Sequence, residues 1–147
     1  MNRILILTII TLTIISCNFR KATQRKITSV TETTSITEQE TIKNQSTLTH
    51  IALHDNNTEV RKLAVSKLTT QSSLSHIALH DDDAEVRILA IKKLAIQSTL
   101  SHVALHDNNT EVRKLAVSKL TTQSTLSHIA LHDDDAEIKM LAIQLLK

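Results

Sequence analysis

Between Ser72 and Ile96 the chain sets out apolar residues in two short runs of helical spacing, separated by a charged break. Leu74, Ile77 and Ala78 stand at i, i+3 and i+4, and Val86, Leu89, Ala90 and Leu94 at i, i+3, i+4 and i+8. Each set lines one face of an α-helix. Asp81, Asp82 and Asp83 lie between them. Aspartate is poor inside a helix and good at its start, where a side-chain oxygen accepts from an orphan backbone N–H, so the triplet predicts a break and an N-cap. Glu85 falls in the first turn after it, where negative charge suits the helix dipole. The pattern therefore predicts helix, tight turn, helix, and then a polar connector ending in Gln-Ser.

The same pattern recurs. The core HxALHD begins at His50, His76, His102 and His128, a constant spacing of 26 residues. Self-similarity at such a period predicts a stacked repeat array, because no single unit can bury its apolar face alone. Residues 47–72 and 99–124 differ only at Thr49/Ser101 and Ile51/Val103. Copies two and four share HDDDAE and carry Ile88 or Met140 where the others carry Lys, so the array reads as a duplicated pair of units. Glycine and proline are both absent from the 147 residues, which leaves an all-α chain as the expected class. The period falls in the range of leucine-rich repeats, but the LxxLxL strand pattern is missing.

The run D-x-[DN]-x-E-V-R-x-L-A-x-x-x-L resembles the second half of a HEAT-type repeat of the short bacterial kind, and L-x-H-I-A-L-H-D is similar to that family's first helix. The resemblance covers residues 46–147. It implies a short right-handed α-solenoid of four HEAT-like helix-turn-helix repeats. It also implies a structural ladder in which an Asp in each turn pairs with an Arg six residues on: Asp55 with Arg61, Asp81 with Arg87, and Asp107 with Arg113. The fourth copy departs from this, with Lys139 at the Arg position after Asp133. Lysine lacks the planar fork of arginine, so a looser rung is expected there.

The N-terminus has a different character. Arg3 precedes a run from Ile4 to Ile15 that is apolar apart from threonines, followed by Ser16 and Cys17. That layout reads as an export signal, too short to span a bilayer of ~30 Å. Ile14-Ile15-Ser16-Cys17 resembles the lipobox of bacterial lipoproteins, which implies a signal peptide over 1–16 and lipidation at Cys17. Cys17 is the only cysteine, so no internal disulfide is available to an exported chain. Residues 17–45 are polar and Thr-rich, and read as a tether that ends in a capping helix, since Ile42 and Gln45 fall 26 residues before Leu68 and Gln71. The expected location is the bacterial cell envelope, lipid-anchored through Cys17 and facing the periplasm or the surface.

Charge narrows the function. Setting Arg3 aside from the 17 Lys and Arg leaves 16 against 15 Asp and Glu. The signs are interspersed, which argues against nucleic acid as a partner. One Phe, with no Tyr or Trp, removes the stacking platforms of single-strand binders. Phosphate-cradling glycine loops are impossible here, and neither HExxH nor GxSxG occurs. A non-enzymatic module without a cofactor, binding a protein or peptide, is the expected function.

The rival reading is an envelope metal binder. All eight histidines lie in the copies, paired as His50/His54, His76/His80, His102/His106 and His128/His132. Spacing of i, i+4 puts both rings on one helix face, a workable two-ligand site for Zn²⁺, Cu²⁺ or Ni²⁺. Structural zinc asks for four ligands, so solvated histidines are the plainer reading. The last helix carries Met140, Leu141, Ile143, Leu145 and Leu146. A terminal unit needs a polar outer face, so this one is expected to be covered by self-association or a partner.

Overall fold

The computed structural model describes residue 41 and residues 43–147. The signal-like segment 1–16, Cys17 and most of the 17–45 stretch lie outside the described residues. Residues 44–147 form one compact unit. All regular structure among the described residues is helical: α1 (43–54), α2 (Thr58–Lys67), α3 (Gln71–His80), α4 (Ala84–Lys93), α5 (Gln97–His106), α6 (Thr110–Ser118), α7 (Gln123–His132) and α8 (Ala136–Leu145). None of these helices is long and apolar enough to cross a membrane.

The breaks fall where the Asp and Asn clusters predicted them. Within each cluster the residues divide the work. The third caps the following helix: Asp83 Oδ1 accepts from the backbone N–H of Glu85 and Val86 at 2.9 and 3.1 Å, and Asn109 does the same for Glu111 and Val112. The first folds back on the third, as Asp81 Oδ1 accepting from Asp83 N at 2.9 Å shows. No residue among those described has positive φ. The chain reverses on extended residues such as Asp81 (φ −66°, ψ 136°) and Leu68 (φ −67°, ψ 141°), which any L-residue adopts. That is how a chain without glycine turns so often.

Packing joins successive helices and like-placed helices. α3 lies against α4, α5 against α6, and α7 against α8. The even helices α2, α4, α6 and α8 pack in succession, and so do α3, α5 and α7. Leu74, Ile77, Val86, Ala90, Ile91 and Leu94 are all buried and belong to one continuous core with their counterparts in the other copies. Burying a Leu, Ile or Val contributes roughly 1.5–3 kcal/mol. Ten-residue helices are too short to persist alone in water, so this shared core holds them.

Gln45 keeps the register read from its spacing of 26 residues before Gln71. It lies inside α1, near the start of a first helix, where Gln71, Gln97 and Gln123 also stand. Gln45, Gln71 and Gln97 each clamp the end of the second helix of their own pair with two bonds, while Gln123 only accepts from Lys147 N there and donates to Thr121 O. Gln97 Oε1 accepts from Thr121 N at 2.9 Å while its Nε2 donates to Lys119 O at 3.1 Å. Gln45 makes the same pair of bonds to Thr69 N and Lys67 O.

Candidate functional site

The chemistry-bearing residues gather where each first helix ends and the Asp turn begins. The two histidines of each pair sit one turn apart, with ring centroids 4.9, 4.8, 4.9 and 4.7 Å apart along the chain. All eight rings are exposed. The second histidines of the first three pairs, His54, His80 and His106, border open polar notches between neighbouring helix pairs. One such notch, of about 300 Å³, has His54, Asn56, His80 and Asp82 on its rim. The next, of about 340 Å³, repeats the arrangement with His80, Asp82, His106 and Asn108. The result is a stripe of imidazoles alternating with carboxylates and amides.

Arginines floor these notches, and their partners correct the expected ladder. Each guanidinium takes the carboxylate of the following copy, twenty residues ahead, not that of its own turn. Arg61 Nε and Nη2 donate to Asp81 at 2.9 and 3.0 Å, and Arg87 donates in the same way to Asp107 at 2.8 and 2.9 Å. Arg113 reaches Asp133 with one bond of 3.3 Å. The Asp six residues back supplies only its main-chain carbonyl: Asp55 O to Arg61 at 3.1 Å, Asp81 O to Arg87 at 2.8 Å, and Asp107 O to Arg113 at 3.0 Å. The physical reason is the Asx turn. It ties the first Asp to the third, so its carboxylate faces the preceding copy and only its carbonyl faces its own Arg. Lys139 accordingly leaves the Asp133 rung untouched.

These ion pairs are largely dry, with side chains 8% and 7% exposed at Arg87 and Asp107. The Asp81 hydrogen bond raises the Arg61 pKa above its already high ordinary value, so that rung keeps its cation at every working pH. No buried side-chain polar atom among the described residues lacks a partner. Asp81, Asp107 and Asp133 are therefore taken up by the arginines and are not free to complete the histidine pairs. Among the described residues no three of His, Cys, Asp and Glu are placed to hold one metal ion.

Three further sets of residues hold the array together, two between copies and one within each copy, and were not singled out from the pattern. Lys93 Nζ donates to Val65 O and Ser66 O, and Lys119 Nζ to Ile91 O, Lys92 O and Leu94 O, all between 2.6 and 3.1 Å. Each lysine thus caps the second helix of the preceding copy, where a cation suits the dipole. Burial lowers the Lys119 pKa, and the three carbonyl oxygens take up its charge. Hydroxyl pairs Thr49–Ser73, Ser75–Thr99 and Ser101–Thr125 link successive first helices at 2.9 to 3.2 Å. The glutamine clamps complete the set. Their signal in the sequence was recurrence, which near-identical copies give to every residue alike.

No protein-family model, curated protein or solved structure matches the chain.

Proposed function

We propose that this chain is a membrane-tethered, non-enzymatic interaction module of the bacterial envelope, built as a short right-handed α-solenoid of four HEAT-like repeats. A protein or peptide is held along the histidine stripe. One observation carries the reading: the notches repeat with the period of the copies and present exposed imidazoles, carboxylates and amides, while the arginines beneath them are spent on internal pairs. Like-placed helices pack ~8–10 Å apart, and an extended peptide advances ~3.3 Å per residue. A peptide crossing the stripe meets one notch about every three residues. Lipidated Cys17 anchors the module, and residues 17–45 hold it away from the bilayer.

The test is site-resolved crosslinking of the full chain in its own membranes. A photoreactive residue at Asn56 or Asn108, on the notch rim, gives a discrete protein adduct. The same probe at the exposed Ser66 or Lys92, on second helices, gives none. Equal adducts from both positions, or adducts from neither, would defeat the reading.

A second reading rests on the ring separations of 4.7 to 4.9 Å. Paired imidazoles at that spacing offer two ligands to a divalent metal, with the remaining positions taken by water or by a partner. Under it, chelator abolishes the adducts, and His76→Gln with His80→Gln lowers zinc uptake by the full chain. Unchanged uptake would dispose of this alternative.

A further inference from the structure

Like-placed residues are buried differently in different copies, and the differences fall into two sets. Val86, Val112 and Ile138 are fully buried, yet the equivalent Val60 in the first copy is 38% exposed. Val65, Ile91 and Val117 are fully buried, yet the equivalent Ile143 in the fourth copy is 57% exposed. The residue buried in every copy but the first depends on a preceding neighbour. The residue buried in every copy but the fourth depends on a following one. Val60 and Ile143 therefore mark the two opposite halves of a single interface, already formed between each pair of neighbouring copies inside the chain. Leu63 at 58% extends the first half, and Leu131 at 70% with Met140 at 56% extends the second.

The polar groups of that interface are divided in the same way. Inside the chain an Arg reaches the Asp twenty residues on, and a Lys caps the helix before it. On the first face Asp55 accepts only from Asn57 N and has no cation beside it among the described residues. Lys67 is exposed, whereas the equivalent Lys93 and Lys119 cap the preceding copy. The fourth copy offers what these two lack. Lys139 stands one period beyond Arg113, in register for Asp55. The carbonyls of Ile143, Gln144 and Leu146 occupy the places that Lys119 caps in α4 and its end.

We infer that copies of this chain associate head to tail, the α7–α8 face of one docking on the α1–α2 face of the next. Apolar residues meet apolar residues, Lys139 meets Asp55, and Lys67 caps the last turn of α8. The occupant is a second copy because both surfaces carry the register of the internal interfaces, and each supplies the charge the other lacks. A contact of this kind is heterologous: every added chain exposes a fresh face, so assembly continues past the dimer unless a ring closes. This goes beyond the partner held on the histidine stripe and stands independently of it.

The test uses the full chain purified in detergent, with micelles in excess so that no micelle holds two unassociated chains. Sedimentation over a rising concentration series gives a progression of species larger than the dimer. Val60→Asp and Ile143→Asp each spoil one face, and each leaves monomers, with association at least about tenfold weaker. Mixing the two variants restores one intact pair of faces and yields a one-to-one dimer that grows no further. Leu63→Asp replaces Val60→Asp if circular dichroism shows that the latter loses helix. A wild-type chain that stays monomeric overturns the inference. So does a Val60→Asp chain that still dimerises alone, since that outcome means a symmetric contact through α8.

Discussion

Arg87 carries more contacts than any other charged side chain described. It is 7% exposed, forks onto Asp107, and donates to the main-chain oxygens of Asp81 and Asp82. Arg87→Ala would leave the Asp107 carboxylate nearly dry and without its cation. Removing one partner of a buried pair costs about 3–5 kcal/mol, and a loss near the lower end of that range is expected in urea unfolding. Arg61→Ala should cost less, since the Arg61 side chain is 13% exposed against 8% for Arg87. Lys139→Arg tests the pairing register directly. Because Arg113 already holds Asp133, restoring the fork at 139 should move monomer stability by less than about 0.5 kcal/mol. A clear gain would mean that each carboxylate pairs within its own turn.

At the scale of the element, short helices depend on their ends. Asp83 accepts two backbone N–H groups at the start of α4, and Asn57 and Asn109 stand at the equivalent places in α2 and α6. Asp83→Ala should therefore cost about 1 kcal/mol, while Asp83→Asn costs a few tenths at most. Thermal melts of the two variants check this, and equal losses would show that the cap bond contributes nothing. The other end rests on the clamp. Gln97→Ala removes an acceptor for Thr121 N and a donor to Lys119 O, with an expected loss of about 1–2 kcal/mol. Gln97→Glu should not restore it, because the donor is gone and a negative charge then faces the C-terminal end of α6.

At the scale of the whole molecule, each copy touches only its neighbours in sequence, so stability is approximately a sum of units and interfaces. Deleting residues 71–96 joins Thr70 to Gln97, which repeats the natural junction of Thr70 with Gln71. Arg61 then meets Asp107 in place of Asp81. The shortened chain should remain helical by circular dichroism and melt cooperatively at a lower temperature. Loss of cooperativity would show that the copies are not interchangeable.

Much of this was legible in one copy read alone. Apolar spacing placed the helices, Asp and Asn marked the breaks, and the absence of glycine and proline excluded most other folds. Those signals are short-range, acting between residues within a turn of one another, and the sequence by itself determines them. The partner of each arginine was not legible. An Asp lies both six residues behind and twenty ahead of Arg61, and near-identical copies make the two equivalent on paper. Only stacking, with the Asx turn aiming each carboxylate at the preceding copy, decided between them. The same holds for burial. Val60 and Val112 share the neighbours TEVRKLA letter for letter, yet one is exposed and the other dry. Identical local sequence carries identical local information, whereas burial depends on what packs from outside, and that was left to the tertiary structure.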